Sequence, residues 1–573
     1  MDTRTAKKTD FRAHDGQLLF YRHWPATGSH CRGAIVLLYS GQEHSGRVAR
    51  WVEEINLPAF AFFSWDTRGS GRWPDAHGRS PCIAAMVRDL QALAEHIRDA
   101  HGIAIEDMAL VGQRAGAVLA ATWVHDYAPP VRCLAVATPA FDSKLDVLCA
   151  LPVLRGVQKL RDLNHIHSDV LPKFLTLLDR HDTAQRIVTD AAAIIAPALM
   201  LRSGTGAAMG PSPQDRFYER LSSARKERIV LPGLDHDALG WCNQAQALES
   251  LRAFVLREFD APQPRVSLVD ADRHGPPYDE YVRLTQAPAN PLARVFWASI
   301  RAGLKLAGVF SNGIALGLKL GFDAGPTFDY VYRNQAHGRL GIGWLIDLVF
   351  LNSPAWYAVR QRKAHVEELI GVAMGRLHAA GMAARIVDLA AGPGRCVLDA
   401  VAALAPGSGG SSNRSAHAPE SIVLRDYSPP NVEAGRALIA QRGLDAVARF
   451  ELGDAFDEAG LAALAPRPTL AVAAGLYELF SENALIERSL RGLAQAMPAG
   501  GYLVYTGHLW NPMHTFMARA LGNHRGGSHW ILRRRWQAEL DELVVRAGFR
   551  KVTQRIDNKG MLSVSLVQRI EAA

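Results

Sequence analysis

The stretch Ile386-Val-Asp-Leu-Ala-Ala-Gly-Pro-Gly-Arg395 constrains the fold more than any other part of the chain. A β-branched run reaches an acid, Asp388, then turns through small residues into a helical pattern. Glycines in such a turn adopt conformations closed to other residues and let backbone approach a ligand. A strand, a glycine loop and a helix in that order open an α/β nucleotide-binding unit. More pieces follow in sequence. Ile422-Val-Leu-Arg-Asp426 reads as a strand ending in an acid. Phe450-Glu-Leu-Gly-Asp-Ala-Phe456 is a third such segment. Thr469-Leu-Ala-Val-Ala-Ala474 runs into Gly475-Leu-Tyr-Glu-Leu-Phe480.

This ordered series resembles the class I S-adenosylmethionine-dependent methyltransferases over roughly residues 340–570. Asp388-Leu-Ala-Ala-Gly-Pro-Gly394 is similar to the family's first motif, [DE]-x-G-x-G-x-G. The resemblance implies that Asp388 holds the methionine ammonium and that Gly392 and Gly394 give backbone access. Ala390 replaces the first glycine, which is tolerated if its φ stays negative. By the same resemblance Asp426 accepts from the ribose hydroxyls and Asp454 meets the adenine amino group. Phe456, or Ala455 through its backbone, flanks the adenine ring. Gly475 opens the loop facing the sulfonium. Taken singly, each acid also reads as a solvated turn residue; their order at three strand ends favours the functional reading.

The acceptor side is less defined. Tyr477 and Glu478 are candidates for shaping its pocket, and also read as packing residues at a helix start. His508, in Gly507-His-Leu-Trp-Asn-Pro512, is the candidate general base. Gly475-Leu-Tyr-Glu-Leu-Phe480 is not the [DN]-P-P-[YF] motif of amino-group methylases acting on nucleobases, so no nucleic-acid partner is expected. Methyl transfer expels a neutral thioether from a cationic sulfur, so alignment and desolvation carry much of the catalysis. The sequence therefore names the cofactor, S-adenosyl-L-methionine, better than the acceptor.

Residues 10–258 alternate strands and helices, which implies a mostly parallel sheet covered on both faces. They resemble the α/β-hydrolases of the monoglyceride-lipase or lysophospholipase-like branch. Ser40-Gly-Gln-Glu-His-Ser-Gly-Arg47 looks like its oxyanion loop, and Trp65-Asp-Thr-Arg-Gly-Ser-Gly-Arg72 like its D-x-R-G-x-G turn. The nucleophile elbow, G-x-S-x-G in that family, is here Gly112-Gln-Arg-Ala-Gly116. Arg114 stands in the nucleophile position, and an arginine keeps its proton and forms no acyl-enzyme. Gly206 falls where the triad acid is expected, and His236 matches the triad histidine. One member of three is not a serine-hydrolase site. Arg114 could instead pair with a phosphate or carboxylate in a binding pocket.

The expected architecture is α/β with two domains. A hydrolase-like domain (10–258) carries a helical cap at about 140–195. A Pro-rich linker (259–290) and helices (291–380) lead to the Rossmann-like methyltransferase domain (381–570). The apolar run Val295–Phe322 carries Arg301, Lys305 and Lys319, which fits either a connecting helix or peripheral membrane contact. The aromatic and polar Gly321–Asn334 segment is a candidate pocket lining. Gly407-Ser-Gly-Gly-Ser-Ser-Asn-Arg-Ser415 reads as a flexible insertion. Six isolated cysteines, with no CxxC pair, imply neither a zinc site nor a disulfide framework. With no signal-peptide pattern at the N-terminus, they lead to the expectation of a cytoplasmic protein. A net charge of +8 over 573 residues is dispersed and marks no basic groove. Three functions follow: a methyltransferase acting on a small, lipid-like molecule with a degenerate hydrolase-like domain; a bifunctional hydrolase and methyltransferase; or a non-catalytic scaffold. A dehydrogenase is disfavoured because the loop lacks G-x-G-x-x-G spacing.

Overall fold

In the computed structural model the chain divides into two compact units, residues 1–266 and 267–573. The structure describes residues 4–28, 30–39, 48–68, 82–141, 182–203, 212–231, 245–264, 266–404, 418–524 and 529–571. The oxyanion-type loop, the second half of the DxRGxG turn, most of the cap, Gly206, His236 and the Gly/Ser insertion lie outside the described residues.

The first unit is built on β1 (Lys7–Arg12), β2 (Leu18–Trp24), β3 (Gly33–Leu38), β4 (Phe60–Trp65), β5 (Met108–Gln113), β6 (Cys133–Ala137), β7 (Ala198–Ser203) and β8 (Lys226–Leu231). Their order is β1-β2-β4-β3-β5-β6-β7-β8. The β1 and β2 hairpin joins antiparallel to β4, and the rest is parallel. Strands β3 to β6 are buried at every residue, which is why they read as unbroken apolar runs rather than alternating ones. Helix α1 (Ile83–His101) packs on α2 (Ala115–Tyr127), which follows β5 directly. Arg68 of the DxRGxG turn is held by Asp15 and Asp89, each at 2.6 Å, so it braces the fold.

The second unit holds β9 (Arg385–Leu389), β10 (Ser421–Asp426), β11 (Ala448–Leu452), β12 (Leu470–Ala473), β13 (Tyr502–His508), β14 (Phe549–Ile556) and β15 (Leu562–Arg569). Their order is β11-β10-β9-β12-β13-β15-β14, with β15 antiparallel to both of its neighbours. The winding reverses between β9 and β12, and a crevice opens over the carboxyl ends of the strands at such a point. Its helices include α3 (Pro276–Thr285), α4 (Pro291–Phe310), α5 (Asn312–Leu320), α6 (Gly325–Arg333), α7 (Ile342–Leu351), α8 (Pro354–Ala379), α9 (Arg395–Leu404) and α10 (Pro429–Gln441). The apolar face of α8 (Val366, Leu369, Ile370, Ala373, Leu377) enters the core against β13 and β15.

The stretch read as a linker carries a helix, α3. Its prolines stand in the first turn, where a missing N–H costs nothing. Glu280 on α3 pairs with His514 at 3.1 Å and Arg534 at 2.6 Å. Burial alone would raise its carboxyl; the His514 and Arg534 contacts outweigh that and hold it at about 2. The apolar run breaks at Ser311, whose hydroxyl caps α5 and donates to Asp347 at 2.5 Å. The buried Asp347 carboxylate also accepts Gly313 N–H at 2.8 Å, His337 N–H at 2.9 Å and the Tyr330 hydroxyl. One carboxylate thereby ties α5, α6, α7 and the loop before α7.

At the β2 edge of the first unit, the His23 ring stacks on Phe63 at 4.6 Å and meets His101 at 4.4 Å. The Tyr21 hydroxyl bonds Nε2 of both His96 and His101. Burial, with the charges of His101 and Lys7, holds His23 down to about 4. The unfolded chain binds this proton near pH 6.5. Stability carried by the neutral ring is complete above that value and falls as pH drops toward 4. Thermal unfolding followed from pH 7 to 4.5 should show the first unit losing stability on acidification. His23→Phe should flatten that slope; an unchanged slope would show that the cluster does not control it.

Candidate functional site

The site forms where β9 ends. Asp388, 3% exposed, is the fourth residue of that five-residue strand. No donor reaches its carboxylate among the described residues. Burial, then the neighbouring Asp426 charge, pushes its pKa well above the usual carboxylate range. A buried acid with no cation beside it is costly unless it is neutral or paired by a ligand.

The loop after it runs through three positive-φ residues, Ala390 (51°), Gly392 (55°) and Gly394 (79°). Ala390 thus adopts the left-handed conformation, against the expectation of a negative φ. The connection from β9 into α9 dictates the backbone there, and alanine pays the strain. Two roles separate the glycines. A Cβ on Gly394 would lie 2.4 Å from Leu424 Cδ1, so a side chain there would displace Leu424 as well as strain a φ of 79°. A Cβ on Gly392 would meet nothing nearer than the Gly325 Cα at 4.0 Å. Gly392 therefore faces open space roofed by the start of α6.

Asp426 closes β10. Its carboxylate accepts the N–H groups of Gly392 and Ser428, both at 2.9 Å, and the Asn431 amide at 3.1 Å. It sets the loop's shape from the next strand. Asp454 is exposed beyond β11 and accepts Phe456 N–H at 2.9 Å. Ala455 and Phe456 are buried behind it, with the Phe456 ring edge-on to Phe480 at 4.5 Å. Asp388, Ala390, Gly392, Gly394 and Asp426 thus meet at one strand end, and Asp454 and Ala455 sit at the end of β11.

Beyond β12, Gly475 (φ 75°) donates its N–H to Thr506 Oγ1 at 2.8 Å. The buried Glu478 carboxylate is 2.6 Å from Arg362 Nη1 on α8 and accepts Thr506 Oγ1 at 3.2 Å. Burial pushes the Tyr477 hydroxyl up, and it bonds Ser489 at 3.1 Å. His508 ends β13 and shares a small pocket with Tyr477, Glu478 and Arg535. Burial, with the charges of His514, Arg534 and Arg362, drives its pKa down to about 3, and Nε2 has no hydrogen-bond partner among the described residues. Such an imidazole is neutral and a weak proton acceptor, far from the near-neutral pKa of an effective base.

Several site residues had no motif to announce them. Arg362 is one basic residue in a 26-residue helix, yet it ties Glu478 to α8 and lies over the Phe328 ring at 5.6 Å. Arg535 donates to Tyr477 O, Ser481 O and Asn483 Oδ1, fixing the loop after β12. The run Arg533-Arg-Arg535 was the available clue. The Gly321–Asn334 segment forms the roof: a Cβ on Gly325 would lie 3.1 Å from Asn431 Oδ1 and 3.4 Å from Pro393 Cδ. Asp329 on α6 also pairs with Arg395, the first residue of α9.

In the first unit, the turn between β5 and α2 keeps the geometry of a nucleophile elbow. Arg114 stands at φ 51°, ψ −112°, a conformation that costs a non-glycine residue on the order of 1–3 kcal/mol. A Cβ on Gly116 would lie 2.3 Å from Leu38 O, and one on Gly112 2.6 Å from Ala117 Cα. The flanking glycines are needed for the turn whichever residue occupies its apex.

The comparisons with known proteins follow this division. The pattern of a family described as "Putative methyltransferase" matches residues 251–569. That of "Serine aminopeptidase, S33" matches 29–176. "Uncharacterized protein YnbC" of Escherichia coli (strain K12) is 42% identical, covering 98% of each chain. Among solved structures, a monoglyceride lipase from Saccharomyces cerevisiae is 14% identical over 45% of this chain and 96% of its own, with a TM-score of 0.36. A monoacylglycerol lipase from Paleococcus ferrophilus is 17% identical over 44% and 99%, with a TM-score of 0.33.

Replacing Ala390 by glycine removes the left-handed penalty at a small entropic cost, so Ala390→Gly should stabilise the second unit by about 0.5–1 kcal/mol. Ala390→Val should destabilise it by about 2 kcal/mol. Urea midpoints of the two variants should therefore move in opposite directions.

Proposed function

The chain belongs to the methyltransferase family whose pattern spans residues 251–569, and from that premise we propose that its second unit is an S-adenosylmethionine-dependent methyltransferase acting on a small, lipid-like molecule. The observation that carries this reading is Asp388, a buried carboxylate without a donor among the described residues, beneath a positive-φ loop at the sheet's switch point. An ammonium group is the partner such a carboxylate lacks.

When bound, S-adenosylmethionine supplies a methyl group on a cationic sulfur. Asp388 would receive the ammonium. Asp426, already fixed by Gly392, Ser428 and Asn431, would use its remaining lone-pair positions for the ribose hydroxyls. Asp454, Ala455 and Phe456 would border the adenine. Gly392 leaves room for the ligand, and α6 roofs it against water. Tyr477 and Glu478 are positioning residues, since the ion pair with Arg362 and the Arg535 bonds fix the loop that faces the acceptor. His508 would line the acceptor side as a neutral polar group. Proton removal from the acceptor then falls to solvent or to the acceptor's own acidity.

The first unit, in this reading, has lost serine-hydrolase chemistry, because the elbow apex is Arg114. It would bind a ligand or serve as a scaffold. A fluorophosphonate probe should leave the protein unlabelled, and p-nitrophenyl esters should not turn over above background. Labelling would establish a nucleophile elsewhere and favour the bifunctional alternative.

Calorimetric titration with S-adenosylmethionine and S-adenosylhomocysteine tests the main reading. Asp388→Ala and Asp426→Ala should each weaken binding roughly ten- to hundredfold, the range for a lost charge-assisted hydrogen bond. No binding by the unaltered protein would leave the scaffold reading. The raised Asp388 pKa adds a sign. A cationic ligand selects the ionised carboxylate, so binding should release protons and weaken as pH falls. Titrations in buffers of different ionisation enthalpy should detect that release, and Asp388→Asn should abolish it while raising the thermal stability of the ligand-free protein.

A further inference from the structure

The geometry points to a membrane-surface platform on the second unit, made by α4, α5, the 335–341 loop and α7, that docks on anionic phospholipid. The inference does not depend on the methyltransferase reading.

Helix α4 has no buried residue along its 20-residue length. One face is half-buried through Trp297, Ile300, Leu304 and Ala307. The other presents Leu292 (77% exposed), Val295, Phe296, Leu306 (65%) and Val309 to solvent at helical spacing. Beside it α7 exposes Ile342, Trp344, Leu345 and Val349. Scattered exposed apolar side chains need no explanation, but a contiguous patch on two packed helices does. Between the two helices the loop tip carries Leu340, 85% exposed and at φ 59°. A bulky residue in the left-handed region, pointed at solvent, is a double cost that a water-facing loop has no reason to keep.

Charge identifies the occupant. The 32 residues 291–322 contain four basic residues, Arg294, Arg301, Lys305 and Lys319, and no acid. Arg339 adds a fifth at the loop tip. Arg294, Lys305, Lys319 and Arg339 are all exposed, and none pairs with a carboxylate among the described residues. Apolar side chains with Phe and Trp at the surface, rimmed by unpaired cations, are the composition of a helix lying in the interface of an anionic bilayer. Among the described residues no single helix is long and apolar enough to cross a membrane. The bent pair α7 and α8 passes on length and composition, but α8 is committed to the sheet core, which leaves α7 to lie on the surface rather than span.

Flotation of the full chain with vesicles tests this. Phosphatidylcholine vesicles containing phosphatidylglycerol should carry the protein, and pure phosphatidylcholine vesicles should do so weakly. Added salt should reduce binding to the anionic vesicles. Phe296→Ser with Trp344→Ser should abolish it, and Lys305→Glu with Lys319→Glu should lower affinity roughly tenfold or more at low salt. These side chains are exposed, so thermal unfolding and S-adenosylmethionine titration should match the unaltered protein, separating this result from the fate of the cofactor reading. No binding to either vesicle overturns the proposal. So does a dimer in solution that the Phe296 and Trp344 substitutions dissociate, since the patch would then be a contact between two copies of this chain.

Discussion

Everything around the second unit's site depends on one electrostatic constraint, the burial of Asp388 beside Asp426 with no cation against it among the described residues. Two carboxyls on neighbouring strands repel, and a low-dielectric setting strengthens the repulsion. Asp426 is relieved by two backbone N–H groups and an amide. Asp388 is not. Asp388, without a donor among the described residues, stands at the place where the winding reverses and the loop backbone opens. A structural acid would have been matched, as Asp347 is by four donors. The two buried carboxylates differ in this alone: Asp347 is saturated by four donors, and Asp388 has none among the described residues.

The opposite wall shows how the chain holds such a site rigid. Arg362, Thr506 and Glu478 join α8, β13 and the loop after β12, while Arg535 reaches three acceptors in that same loop. Buried ion pairs contribute little net stability, because desolvation offsets attraction. Their directional bonds instead fix one arrangement of a loop whose own sequence, Gly475-Leu-Tyr-Glu, would allow many. His508 is buried beside this wall, and burial first, then the charges of His514, Arg534 and Arg362, strips the imidazole of basicity. The buried surround that holds the loop thus leaves His508 a weak base, whatever chemistry the pocket serves.

What was legible in the sequence was local. The acids ending β9 and β10 and the small-residue loop are consecutive in the chain, and strand period and turn chemistry announce them. The φ of Ala390 was not legible. Residue type suggested a negative value, whereas the β9-to-α9 connection imposes a positive one. Helix α3 was hidden because Pro276-Pro277 read as breakers; at the first turn of a helix, proline is a start signal. Arg362 was hidden because its partner Glu478 is 116 residues away, and no spacing rule reaches that far. The roof formed by α6 was half-legible: its aromatic and polar density was visible, but its approach to Gly392 is a tertiary fact.

The first unit poses the converse problem, a strained turn with an arginine at its apex. At the elbow, a Cβ on Gly112 or Gly116 would fall less than 3 Å from neighbouring backbone, so neither position accepts a side chain without a shift. The sheet and α2 therefore force the apex into φ 51°, whatever residue stands there. Serine, arginine or glycine would meet the same backbone. Strain at Arg114 is thus inherited from the packing of β5 against α2 and is no evidence of catalysis. The identity of the apex residue decides the chemistry, and a guanidinium, permanently protonated and rich in donors, suits the holding of an anion and not the attack on an ester. Fold and activity are separable at this turn because its geometry is set by two glycines and its reactivity by the single side chain between them.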